Sequence, residues 1–215
     1  MFGKWDDWIK EIEKEVEQIY LYRYIWNEIG EIFSKNPSLQ RSLFTDWMAS
    51  NYTVAQSLAV RRQTDMHSDS ISLCKLLKDM CSYSEYLTSS HHEELYKNYN
   101  FPDGVGRKEF AKWCKKGETI INTEMIEEDI QKLNENSELI KQYVNKHVAH
   151  HDKKGSEILP TFSDLDCAVD TLGEIFSKYR EIVTSIRSRK LVPEIQDDWL
   201  APLRIPWISG DKFEQ

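Results

Sequence analysis

The sequence predicts an all-α protein, an antiparallel helical bundle, and three observations carry that expectation. Glycine and proline total 14 of 215 residues, about half the share of an average chain, which disfavours sandwiches, collagen-like chains and flexible linkers. Apolar residues recur at three- and four-residue steps through five long or medium segments, the period of a helix with one buried face. No alternating apolar–polar run of useful length and no internal repeat is present. With 40% hydrophobic and 12% aromatic residues, the chain has enough large apolar groups to offset the entropy of ordering. A chain of this length buries roughly 70% of its unfolded surface and needs no covalent staples.

The elements follow in order. Trp5, Trp8, Ile9, Ile12, Val16, Ile19, Trp26, Ile29 and Phe33 form one stripe of a first helix, which Asn36-Pro37 stops. A second helix is expected over 38–64, with Leu39, Leu43, Trp47, Val54 and Leu58 inward. A polar break at 65–70 precedes a third helix with Leu73, Leu76, Leu77, Met80, Cys81 and Leu87 on one side. Residues 89–106, which hold His91, His92, Pro102, Gly104 and Gly106, read as the main loop. A short basic helix over 107–116 ends at Gly117. The longest helix is expected over 123–151, with a stripe of Ile126, Ile130, Leu133, Ile140, Val144 and His147 or Val148. Ser163, with Asp166 three residues on, reads as a capping box. It opens a last helix carrying Leu165, Val169, Leu172, Phe176, Tyr179, Val183 and Ile186, and Pro193 closes the helical part. The tail at 198–208 keeps Trp199, Leu200, Leu203, Ile205 and Trp207 between prolines. So apolar a tail is expected against the bundle or a second subunit, because alone it exposes a large patch. The chain reads as one domain: the bundle over 1–190, and the tail over 191–215 as part of it.

Charge narrows the function classes. There are 28 Lys and Arg against 36 Asp and Glu, a net charge of −8. A protein that coats nucleic acid needs clustered cations to release counterions, so that class is disfavoured, although a local basic cleft is not. Cys74, Cys81, Cys114 and Cys167 form no C-x-x-C pair and read as reduced thiols of a cytoplasmic protein. No secretory signal is visible at the start, and no apolar run nears the ~18 residues of a membrane span, so no membrane partner is expected.

The densest polar cluster is 143–152, where three of the six histidines fall within five residues. Four readings compete. His and Lys there complement the negative end of a helix dipole, with His147 packed on the apolar stripe. His147 and His151, four apart, have the spacing of a helical di-histidine metal site, but spacing supplies no third ligand. A cysteine nucleophile paired with histidine has no local support, since Cys74 and Cys81 look like small core residues. Finally, a histidine near neutral pKa takes the 2′-hydroxyl proton of RNA and later returns one to the leaving oxygen, provided a cation holds the phosphate charge.

The run Tyr143-Val144-Asn145-Lys146-His147-Val148-Ala149-His150-His151-Asp152 resembles the R-N-K-x-x-A-H-x-D stretch of HEPN proteins. A second stretch, Leu58-Ala59-Val60-Arg61-Arg62-Gln63-Thr64-Asp65 leading to Ser70-Ile71-Ser72-Leu73-Cys74-Lys75-Leu76-Leu77, resembles the L-x-x-R-R-x-x-D … S-L-x-x-L-L block of the abortive-infection AbiU-type branch. The two occur in the expected order, and the resemblance spans most of residues 5–190. It implies an α-helical bundle, usually a homodimer. It also implies action on RNA or nucleotide, often as a metal-independent endoribonuclease of phage defence or of a toxin paired with a cognate antitoxin protein. No metal or other cofactor is implied. Matched residue by residue, the polar and histidine positions of the ribonuclease motif fall on Asn145 and His150, which the resemblance makes the catalytic pair.

The motif arginine position holds Val144. Valine donates nothing to a phosphate, and losing one preorganised donor costs on the order of 10²–10³ in rate. Lys146, His147, Lys141, Arg61 and Arg62 are the candidate nucleic-acid-binding residues, and a cation among them is the candidate substitute. The expectation is an RNA-directed protein with weakened cleavage, and its rival is a non-catalytic interaction module on the same scaffold.

Other features are plainer. Arg107, Lys108, Lys112, Lys115 and Lys116 against Glu109 make a +4 patch that reads as a solvated face, with Phe110 and Trp113 on its packing side. Residues 118–138 carry seven acids and one lysine, which reads as the solvent face of the long helix. Gly104-Val105-Gly106 has no preceding strand and no following G-K-[ST], so it is no phosphate loop.

Overall fold

A computed structural model describes residues 1–36, 42–148, 159–187 and 190–205, and those residues contain seven α-helices. α1 (Phe2–Lys35) has 34 residues and is about 51 Å long at 1.5 Å per residue. It buries Trp5, Ile9, Ile12, Val16 and Ile19 at alternating steps of four and three, and ends at Asn36 as expected. α2 (Leu43–Gln63), α3 (Leu73–Ser82), α4 (Ser89–Asn98) and the short α5 (Val105–Phe110) follow. Then come α6 (Thr123–Tyr143) and α7 (Phe162–Thr184).

Cross-helix pairs set the directions. Glu13 meets Arg180 and Arg23 meets Asp170, so α1 and α7 run antiparallel. Lys178 meets Asp129 and Lys132 meets Glu174, so α6 and α7 do too. Trp26 stacks on Tyr52 and Gln63 bonds Glu15, which makes α2 antiparallel to α1. One contiguous buried cluster draws on α1, α2, α3, α6 and α7 and centres on α7, whose Leu172, Phe176 and Tyr179 are fully buried. Gly173 makes room on α7 for the Tyr20 ring of α1: a Cβ there would lie 1.9 Å from the Tyr20 hydroxyl.

Four expectations need correction. α2 does not bury Leu43 or Trp47, which are 87% and 61% exposed; Leu39 lies outside the described residues. Its inner face is instead Gln56, Ser57, Ala59, Val60 and Gln63. Amide side chains sit there because Gln56 Nε2 donates to the Ile19 carbonyl at 2.8 Å and Gln63 bridges two elements, while Gln56 Oε1 and Ser57 Oγ are buried without a partner among the described residues. Periodicity follows the more apolar face, which here is the outer one. Residues 89–106 are not mainly loop, since α4 and the start of α5 occupy them. Thr88 caps α4 by accepting from the His91 N–H, and His92 and Glu93 are buried. The basic helix expected over 107–116 starts earlier, at Val105, and its regular part stops at Phe110. α7 is capped by Thr161 and Asp164, two residues before the pair first expected. The three-residue spacing is the same, and Asp166 turns to Arg23 at 3.8 Å.

The tail is partly docked. Leu191 packs on the core and Trp199 meets Tyr24 edge-on at 6.3 Å, while Leu203 and Ile205 are exposed. Trp207 lies outside the described residues. No helix among the described residues is long and apolar enough to cross a membrane.

Candidate functional site

The end of α6 carries the first motif. Its ladder widens at Val144–Val148 into a single π-type turn, a device that recurs at functional sites. Val144 points into the core and is 3% exposed. Val144, which the resemblance aligns with the motif arginine, is therefore a packing position. Asn145, next in sequence, faces out into a cleft of about 400 Å³ between α2 and α6.

Two cations line that cleft. Arg61, from the last turn of α2, reaches Asp65 at 3.5 Å, with each side chain about one third exposed. Lys141 Nζ donates to Asn134 Oδ1 at 3.2 Å and pairs with Glu138 at 3.0 Å. The Gln142 amide, and then Lys141, hold the Glu138 carboxyl below its usual range. Two cations and two carboxylates thus cancel within the cleft, and Thr64, Asn134, Gln142 and Asn145 add neutral donors and acceptors. Below Lys141, burial pushes the Cys74 thiol up to about 11, against the opposing pull of the lysine charge.

The structure therefore gathers Arg61, Lys141 and Asn145 from the sequence-expected set. Arg62 does not join them: it turns to α1 and pairs with Glu15 at 3.3 Å. Lys146 is half-buried and is not among the cleft-lining residues. His147 stacks on Tyr143 at 5.7 Å, and its Nε2 is buried without a hydrogen-bond partner among the described residues. His150 and His151 lie outside the described residues. Among the described residues, no group of three or more His, Cys, Asp and Glu side chains is arranged to hold a metal ion.

Sequence reading missed Asn134, Glu138 and Gln142. Their signal was a polar stripe at 134, 138, 141 or 142, and 145, one face of α6. A polar stripe alone reads as a solvent face, and only the opposing end of α2 makes it a wall.

The second motif is mostly a joint. Gln63 Oε1 accepts the Leu73 N–H at 3.0 Å, while its amide donates to Glu15 at 2.5 Å. The Ser72 hydroxyl donates to the Asp65 carbonyl at 2.5 Å and accepts from the Lys75 N–H at 3.1 Å, which caps α3. Asp65 Oδ1 accepts the Met66 N–H at 3.0 Å. The block locks α3 onto α2, and it leaves Arg61, paired with Asp65, facing the cleft.

A HEPN family model described as AbiU2 matches residues 2–201. No curated protein and no solved structure matches the chain.

Proposed function

The chain belongs to the AbiU2 family of HEPN proteins, and from that premise we propose that it is an RNA-directed protein of abortive infection with weakened metal-independent ribonuclease chemistry. The carrying observation is the convergence of Arg61, Lys141 and Asn145 on one cleft beside a π-type turn, while Val144 is core. In this reading His150 removes the proton of a ribose 2′-hydroxyl. The 2′-oxygen attacks the adjacent phosphorus, and the proton passes to the departing 5′-oxygen, leaving a 2′,3′-cyclic phosphate. Asn145 orients the phosphate, and Arg61 swings from Asp65 to meet its charge. The weak 3.5 Å pairing makes that exchange cheap. Cleavage is slow because the cation must first leave a carboxylate instead of standing preorganised. The protein acts as a homodimer, as its exposed aromatic surface supports.

The test is cleavage of total RNA and of a defined tRNA in EDTA, with wild type beside His150→Ala and Arg61→Ala. Slow cutting that His150→Ala abolishes and Arg61→Ala reduces is the expected result. Cutting that survives His150→Ala removes the assignment.

One observation favours the second reading, a non-catalytic module. Both cleft cations already have carboxylate partners, so the cleft has no net positive charge. Retarded but uncut RNA in the same gel selects that reading. RNA that neither moves nor breaks leaves a protein partner for the same scaffold.

A further inference from the structure

A second cleft, of about 370 Å³, lies between α1 and the first half of α2, towards the other end of α2 from the first. None of its nine lining residues is charged, although 30% of the chain is, and four are Trp or Tyr. Charge depletion with aromatic enrichment marks the centre of a protein–protein interface rather than an ordinary surface. Trp26 and Tyr52 stack in its floor at 4.8 Å, and Phe162 of α7 extends the stack. Beside this hollow the first turns of α2 stand proud. Leu43 and Trp47 are the two exposed residues already noted, and Phe44 stacks on Trp47 at 6.1 Å.

We propose that this face is where a second copy of the chain docks, each copy seating its Leu43–Trp47 turns in the other's α1–α2 hollow. The inference rests on the homodimer in the functional reading and supplies its face. Three arguments select a second copy. A two-fold contact must be self-complementary, and here knob and hole lie side by side on one surface. Each copy carries −8, and that repulsion is screened over about 8 Å at physiological salt. Two copies therefore meet best through a face poor in carboxylates: the hollow brings none and the Leu43–Trp47 turns bring only the exposed Asp46, so a strongly charged partner would find little counter-charge here. The area also fits. Tyr22, Phe44, Trp47 and Phe162 together expose about as much surface as two whole aromatic side chains, about 300–500 Å². With Leu43 and a polar rim this approaches the ~800 Å² per partner of a standard interface.

The experiment is sedimentation equilibrium of the full chain at tens of micromolar, with Leu43→Asp and Trp47→Lys beside wild type. Wild type should run at twice the chain mass. Each variant should raise the dimer dissociation constant by at least about tenfold, with the melting curve of the dilute, dissociated chain unchanged because both side chains are exposed. A monomeric wild type overturns the proposal. A dimer that both variants leave intact overturns it too, because another face then makes the contact. RNA retardation measured on the same samples separates the two ideas. RNA binding with a monomeric wild type fails the docking face alone, and a variant-sensitive dimer without RNA binding fails the RNA reading alone.

Discussion

Arg180 and Arg61 each sit near the end of a helix and each meets a carboxylate, yet their surroundings differ. Arg180 lies at the α1–α7 seam, 9% exposed at its side chain, and holds Glu13; its Nε is buried without a partner among the described residues. Arg61 lies in the α2–α6 cleft, about one third exposed, with Asp65 at 3.5 Å. The first charge is committed to the fold, because removing Glu13 strands a guanidinium that is only 9% exposed. The second is available, because solvent already screens its pair and a phosphate competes with Asp65 at little cost. An arginine's place in the bundle, and not its residue type, separates a cation committed to the fold from one open to a ligand.

The sharpest way to break the comparison is the same substitution at both positions. Arg180→Ala should cost about 3 kcal/mol, since it removes a side chain only 9% exposed, leaves its place in the seam unfilled and takes the partner from Glu13. Calorimetry should then show a melting temperature lower by about 6–12 °C for a chain of this size. A loss under about 1 kcal/mol would put Arg180 in the same class as Arg61.

Gly106→Ala comes next, at about 1–3 kcal/mol. Its Cβ would lie 2.6 Å from the Glu93 Cα and 2.7 Å from the His92 carbonyl oxygen, backbone atoms that cannot step aside. Denaturant melts check this.

Acid should then loosen the α4–α5 corner. The Glu93 carboxylate accepts the Gly104 N–H at 2.6 Å and the Arg107 N–H at 3.1 Å, and those bonds, Gly104 first, hold its pKa below the ordinary 4.5. Burial holds His92 below 6.5. In both cases the unfolded chain binds protons more readily. His92 therefore withdraws stability as pH falls from 6.5 towards its own folded pKa, and Glu93 withdraws it as pH falls from 4.5 through its folded pKa. Hydrogen exchange of α4 and α5 amides should quicken over those two windows, while the α1–α7 seam stays protected through the upper one.

Arg61→Ala should move stability by no more than about 0.5 kcal/mol. It should weaken RNA retardation and lower the salt slope of binding by about 1. An unchanged slope would mean that no phosphate reaches Arg61. The smallest effect is chemical: iodoacetamide should label exposed Cys167 first and leave Cys74 untouched until unfolding, since burial keeps that thiol at about 11. Mass spectrometry of the labelled peptides reads this directly.

Much of the bundle was legible because helix periodicity is local. The α1 stripe from Trp5 to Ile19 and the α7 stripe from Leu165 to Val183 lie inward as the spacing requires. α2 and α4 were misread for one reason. Their buried faces include Gln56, Gln63, His92 and Glu93, polar groups that are tolerable inside only because distant backbone supplies partners. No window along the chain contains those partners.

The candidate site divides in the same way. By itself the sequence determined the all-α class and the AbiU2 family, and it places Val144 where the resemblance expects an arginine, because each is written in residue types and spacings along the chain. Only the tertiary structure decided that Val144 is core, that Arg61 rather than Arg62 faces Lys141 and Asn145, and that the aromatic start of α2 stands outside the core. Adjacent residues on a helix point about 100° apart. Which of two neighbouring arginines meets a cleft therefore depends on how α2 is rotated against α1 and α6, and that rotation is set by packing between residues far apart in the chain.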